Sequence, residues 1–193
     1  MKTNTDVMID LETLGTRPGC VVLSLGAQAF GPDGLGDKFY EVFKIKQMQE
    51  AGLEIDAGTL GWWLKQSDKA REVLVEASDC PLQAPSLAYR LMDFEGFLSR
   101  QDKEARVWGN GASFDLAIWR EVVRRFGRSD PWKYRFERCF RTATGLPHYA
   151  GDVRLFERAG VYHNAFDDAK WQARVLMDVL GWKKFYETGV ARG

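Results

Sequence analysis

Cysteine is scarce in this 193-residue chain: Cys20, Cys80 and Cys139 are odd in number, far apart, and form no C-x-x-C pair. That pattern excludes a disulfide framework and a thiolate zinc site, and it fits a reducing cytoplasm. Long apolar runs are missing too. No stretch reaches the roughly 20 residues a bilayer-spanning helix needs, so no membrane partner is expected. The short apolar start is interrupted by Asp10, which a signal peptide would not tolerate. Net charge is zero, which argues against a general nucleic-acid coat protein. Without repeats, low-complexity tracts or linkers, residues 1–193 read as one domain able to bury a sizeable core.

Aromatic residues, by contrast, are plentiful. Seven Trp can serve a core or stack against bases, and the surplus is compatible with a homodimer. Charge is uneven despite the zero balance. From Arg106 to Arg141 the basic residues are Arg106, Arg120, Arg124, Arg125, Arg128, Lys133, Arg135, Arg138 and Arg141, against Asp115, Glu121, Asp130 and Glu137. This excess borders a phosphate-binding groove or marks a solvated helix face.

The most informative run is Val7-Met8-Ile9-Asp10-Leu11-Glu12-Thr13. A strand turns alternate side chains to one face, so Asp10 and Glu12 share a face and Val7, Ile9 and Leu11 share the other. Two adjacent carboxylates in an apolar strand repel one another and lose hydration. A divalent cation offsets both costs, because hard cations take carboxylate oxygens; a solvated edge strand is the alternative.

Alternation predicts two further strands, over Val21 to Phe30 and Lys38 to Ile45, around the turn Gly31-Pro32-Asp33-Gly34. Asp56 reads as the N-cap of a short helix through Gly58 to Lys65, followed by helices over Asp68 to Val75 and Ser86 to Ser99. Cys80 to Ala84 reads as a loop. A strand over Ala105 to Trp108 leads to a helix from Ser113 to Phe126, then an aromatic strand at Pro131 to Phe136 and a helical turn at Arg138 to Thr144. A last helix runs from Ala165 to Leu180. The order of elements predicts an α/β domain, a mixed β-sheet flanked by α-helices.

Helical phase then places two more acids. Asp115 precedes Ile118 and Trp119 by three and four positions, on the stripe continued by Val122, Val123 and Phe126. Asp168 falls on the stripe of Trp171, Val175, Leu176 and Val179, whereas Asp167 aligns with Lys170, Arg174 and Asp178 and suits a capping role behind the N-cap Asn164. Either aspartate alone is explained by the helix dipole. Four inward acids with His163 at a helix mouth favour a metal site.

Ile9-Asp10-Leu11-Glu12-Thr13, Ser113-Phe114-Asp115 and His163-Asn164-Ala165-Phe166-Asp167-Asp168-Ala169 resemble the three motifs of the DnaQ-like 3′–5′ exonuclease superfamily, in its histidine-bearing DEDDh subgroup. Trp62-Trp63-Leu64-Lys65-Gln66 and Trp108-Gly109-Asn110-Gly111-Ala112-Ser113-Phe114-Asp115 resemble its bacterial and phage branch, called exoribonuclease-like or exodeoxyribonuclease VIII-like. The resemblance spans roughly Asp6 to Leu180. One position departs from it: many relatives carry Asn four residues before the second-motif Asp, where this chain has Gly111, with Asn110 one earlier.

The resemblance implies a ribonuclease H-like fold and hydrolysis of single-stranded or 3′-overhang RNA or DNA from the 3′ end, tilted toward RNA. It implies Asp10, Glu12, Asp115 and Asp168 as ligands of two divalent cations, Mg²⁺ or Mn²⁺, and His163 as general base. Thr13 and Leu14 match positions that hold the terminal nucleotide, with Leu14 as an apolar wedge, and Phe114 adjoins the second-motif acid. Trp62 and Trp63 are core residues or a stacking surface. Arg141 neutralises a phosphate or forms a surface salt bridge. His148 reads as ordinary loop. A binding domain that kept the fold and lost turnover, or an enzyme of small phosphodiesters, are the competing expectations.

Overall fold

The structure, a computed structural model, describes residues 4–79, 81, 85–146, 152–153 and 156–182. Five strands form one mixed sheet: β1 (Asp6–Thr13), β2 (Val22–Gly31), β3 (Gly34–Val42), β4 (Arg106–Gly109) and β5 (Glu137–Cys139), in the order β3-β2-β1-β4-β5. The first three make the antiparallel meander expected from their alternation; β4 and β5 add in parallel. The acid-bearing strand is therefore central, buried along its whole length, and the solvated-edge reading of Asp10 and Glu12 does not hold.

Two apolar clusters cover the sheet. Val7, Ile9 and Leu11 point into the larger, which holds Phe43, Phe94 and Trp119. Met8, on the opposite face, joins Phe30, Trp108, Ala169 and Leu176. Asp10 and Glu12 continue the Met8 face by strand alternation.

Helices α1 (Ile45–Glu50), α2 (Ala57–Trp63), α3 (Asp68–Ser78) and α4 (Leu87–Ser99) follow the meander. Asp56 caps α2 by accepting the Thr59 N–H at 2.7 Å, and Ser67 and Ser86 cap α3 and α4. Such caps satisfy amide donors a helix start leaves open. Helix α1 occupies the end of what alternation predicted as the third strand, which stops at Val42. Beyond β4 a π-helical turn (Ala112–Leu116) runs into α5 (Ala117–Arg125). The strand expected at 131–136 is displaced: Tyr134–Phe136 is a 3₁₀ turn, and the strand is β5 immediately after it. Helices α6 (Phe140–Thr144) and α7 (Ala165–Val179) complete the fold. Cys20 and Cys139 are free thiols; Cys80 and His148 lie outside the described residues.

Candidate active site

Helix α7 reaches the acids of β1 through a glycine. Gly26 of β2 lies opposite Asp10, and a Cβ there would sit 2.2 Å from the backbone of Ala165 and Phe166. Lacking one, the sheet takes the first turn of α7 directly against its surface. Ala165, Ala169 and Ala173 keep the helix close, all fully buried. The Asn164 side chain starts α7 by accepting from the Phe166 and Asp167 N–H groups. Asp167 accepts the Val161 N–H at 2.7 Å, a structural bond that ties the preceding turn to the helix. Asp168 is thereby turned inward, nearly buried, toward β1.

Asp115 arrives by a different route. Strand β4 ends at Gly109, opposite Ile9, so the Leu11 N–H lies past the ladder. Asp115 Oδ1 accepts it at 3.3 Å, and Oδ2 accepts the Gly111 N–H at 3.1 Å. The side chain packs closely on Gly109, where an added Cβ would meet Asp115 Cβ and Oδ2 at only 3.1 and 3.2 Å. Because a π turn carries Asp115, the regular helical phase used to place it does not extend that far; the turn itself swings the acid inward.

Asp10, Glu12, Asp115, Asp168 and His163 all line one cleft of about 760 Å³. Burial, then the Asp115, Glu12 and Asp168 charges, hold the Asp10 carboxyl well above the usual range. Burial and the Asp168 and Asp115 charges do the same to Glu12. Burial pushes Asp115 up to about 6, against backbone N–H groups and Arg141, which lower it. Asp168 is raised by burial despite the Arg158 ion pair. Four anions are thus gathered where water solvates them poorly.

His163 is half-buried, with a left-handed backbone at φ 61°. Trp62, Trp63 and Tyr162 pack edge-on around its ring, with centroids 5.0, 6.2 and 5.2 Å away. Burial and Arg158 lower its pKa, outweighing Asp168, so the imidazole is neutral at neutral pH. Its nitrogen and the carboxylate oxygens of Glu12 and Asp168 lie within 4.8 Å of one another.

The residues expected to touch substrate divide. Trp62, 42% exposed, borders the cleft. Trp63 is 1% exposed, and its Nε1 donates to Thr13 O at 2.8 Å, which makes it a strut between α2 and β1. Phe114, Thr13 and the exposed Arg141 also border the cleft. Leu14 does not. Its side chain is 1% exposed within the larger core, its N–H donates to Val21 O, and its carbonyl accepts the Asp56 N–H. Alternation would have kept Leu14 on the face of Asp10 and Glu12, but the ladder shifts register between Glu12 and Thr13, and such a bulge reverses the faces.

The basic stretch is mostly neutralised within the fold. Arg106 pairs with Asp6, Arg120 with Asp130 and Glu137, Arg124 and Arg125 with Glu121, and Arg128 with Glu95. Two cleft residues that bond to the acids through their side chains have no counterpart in the sequence reading. Gln172, buried, donates from Nε2 to Asp10 Oδ1 at 2.8 Å; its position one turn after Asp168 was the available signal. Arg158 pairs with Asp168, and no periodicity announces it.

These residues fit divalent metal. The donors are carboxylate oxygens, which hard cations prefer. The hydrogen bond that Asp10 accepts comes from a neutral amide, so the pocket's negative charge is only partly met by protein cations, and the raised pKa values register that deficit.

Solved structures share this fold. The nuclease domain of 3′hExo, described as a DEDDh family member bound to rAMP, matches with a TM-score of 0.54 over 94% of both chains at 9% identity. Cell-death related nuclease 4 matches at 0.55 over 93% of this chain and 65% of its own, 10% identical. A full-length 3′-exonuclease matches at 0.54 over 93% and 83%, 11% identical. The architecture is ribonuclease H-like. In sequence, an exodeoxyribonuclease of Enterobacteria phage T4 is 26% identical over 131 residues, 64% of this chain; the chain spans 57% of that relative's length. The family model of the 3′-5′ exoribonuclease Rv2179c-like domain matches residues 5–180, and the chain belongs to that family, within the DnaQ-like exonucleases.

Proposed function

We propose that the chain is a metal-dependent 3′–5′ exonuclease acting on single-stranded or 3′-overhang nucleic acid, with RNA favoured over DNA. The observation that carries the reading is the convergence of four buried carboxylates with raised pKa values and one neutral imidazole in a single open cleft. Such a site is unfavourable on its own and becomes favourable around cations. Asp10, Glu12, Asp115 and Asp168 would hold them, Mg²⁺ or Mn²⁺. Held there, two divalent ions would supply positive charge for an in-line phosphoryl displacement.

The chain's own groups complete the chemistry. His163, kept neutral by burial, has a lone pair to accept a proton from the attacking water. Its ring is fixed by the aromatic edges around it, which restricts the direction of that transfer. Trp62 offers an exposed ring for a base, and stacking of this kind is worth about 1–3 kcal/mol. Arg141, at the Asp115 side of the cleft, balances phosphate charge. Thr13 and Phe114 border the space for the terminal nucleotide.

The lean toward RNA draws on the family description; the phage relative named for DNA keeps the second reading, a 3′–5′ exodeoxyribonuclease, in contention. Matched 5′-labelled RNA and DNA oligonucleotides, single-stranded and with 3′ overhangs, test both. Stepwise shortening in Mn²⁺ or Mg²⁺, stopped by EDTA and by Asp10→Asn, is expected, faster on RNA. Intact substrates in every metal condition, with tight metal-independent binding, would instead identify a silent nucleic-acid-binding domain.

A further inference from the structure

Tyr162 is 59% exposed although one face of its ring is covered. The Arg158 guanidinium lies 3.8 Å from the Tyr162 ring centroid and 4.8 Å from that of Trp171, so one cation sits on both rings. Trp171 is itself anchored, donating from Nε1 to Phe156 O at 3.2 Å and packing on Phe140. Nη2 of Arg158 pairs with Asp168 Oδ1. Attraction between a cation and a ring face acts on one side of the ring and leaves the other to water. Tyr162 is in this way fastened to α7 and to one of the site's acids while the rest of its ring stays accessible.

Its position gives that ring a use. Tyr162 packs against His163 with centroids 5.2 Å apart, and Trp62 packs against the same imidazole at 5.0 Å. Both line the cleft. They reach it from different elements. Trp62 comes from α2, whose next residue, Trp63, donates to Thr13 O; Tyr162 comes from the segment before α7, tied through Arg158 to Asp168. Two exposed rings therefore adjoin one imidazole, the first on the Thr13 side and the second on the Asp168 side. A strand cut at the phosphate nearest its 3′ end has one base on each side of the scissile bond, and unpaired bases stack on aromatic faces whatever their identity. Trp62, beside Thr13, suits the terminal nucleotide. We propose that Tyr162 stacks the base of the penultimate nucleotide, the one whose 3′ oxygen leaves when the P–O bond breaks and water's oxygen joins the phosphorus. This rests on the reading of the cleft as a 3′–5′ exonuclease site.

Initial rates for the first cleavage of 5′-labelled single strands by the full chain in Mn²⁺ test this. The strand is RNA or DNA, whichever the wild type shortens faster. Two substrates differ only at the penultimate residue, an ordinary nucleotide in one and an abasic sugar in the other. Wild type is expected to show a KM about tenfold higher for the abasic strand, the loss of one stacked base. Tyr162→Ala should raise KM for the intact strand to the abasic value and leave the abasic strand unchanged, which erases the preference. Tyr162→Phe, which keeps the ring, should restore it. Trp62→Ala should weaken both strands and keep the preference. A merely structural Tyr162 would depress both strands alike in Tyr162→Ala with the preference intact. That result overturns the proposal, as does a wild type that cuts both strands with equal KM, and either leaves the exonuclease reading standing. A wild type that cuts neither strand overturns that reading and the proposal together.

Discussion

Gln172 Nε2 donates to Asp10 Oδ1 at 2.8 Å, joining the middle of α7 to the middle of β1 across 162 positions of sequence. Such partners orient a metal-binding carboxylate, and their loss usually costs 10–100-fold in affinity or activity. Gln172→Leu should therefore lower Mn²⁺ affinity on the Asp10 side by roughly that factor while the protein still folds. Calorimetry beside a thermal melt separates the two effects; unchanged affinity would remove Gln172 from the site.

Gly26→Ala should do more damage than its size suggests. The added carbon meets the α7 backbone at 2.2 Å, and backbone cannot rotate aside. Overpacking of this kind costs about 1–3 kcal/mol, sometimes more. Activity should fall with stability, since displacing α7 carries Asp168 from Asp10. Denaturant midpoints and oligonucleotide shortening on the same preparation check the coupling.

The pH dependence of the metal-free protein should run opposite to ordinary acid denaturation. Asp10, Glu12, Asp115 and Asp168 are all raised in the folded state, Asp115 to about 6, from an unfolded value near about 3.9 for Asp. Groups raised on folding favour the native state when protonated, and that stability is lost as pH rises through the folded pKa. In EDTA the melting temperature should increase as pH falls from about 7.5 to about 5.5, a window set by Asp115. Saturating Mn²⁺ should raise it most at the upper end and flatten the trend.

Asp10→Asn removes one anion while keeping an oxygen for Gln172. In EDTA at neutral pH it should melt above the wild type, because a costly buried charge is gone. Mn²⁺ should then stabilise it far less, and nuclease activity should vanish. A variant less stable than wild type in EDTA would show that charge crowding is not what strains the pocket.

The neighbouring tryptophans should behave oppositely. Trp62→Ala exposes little core and should leave stability within about 0.5 kcal/mol, while raising KM by the loss of a stacked base. Trp63→Ala empties a buried site and breaks the bond to Thr13 O, for about 3–5 kcal/mol. Melts and steady-state kinetics of the two variants distinguish ring stacking from scaffolding.

Wherever the site depends on local periodicity, the sequence was enough. Alternation placed Asp10 and Glu12 together, and the cap at Asn164 with helical phase turned Asp168 inward and Asp167 aside. Irregular backbone defeated the same logic. The bulge after Glu12 sent Leu14 into the core, and the π turn made the phase argument for Asp115 inapplicable although its inward placement held. Arg158 depends on the path of an irregular segment before α7, which no repeat encodes. The basic stretch could not be assigned from charge counts, which ignore tertiary partners such as Asp6 and Glu95 that neutralise Arg106 and Arg128.

The seat of α7 on Gly26 also dictates when the pocket can exist. Chains emerge from the ribosome N-terminus first, so β1 and its acids are made long before the helix that brings Asp168 and the Gln172 amide. A sheet folded without α7 is accompanied by three of the four carboxylates, with neither Asp168 nor the amide that orients Asp10. On the proposed function, cation capture would wait for the docking of α7, and a nascent chain still lacking that helix would not yet be an active nuclease.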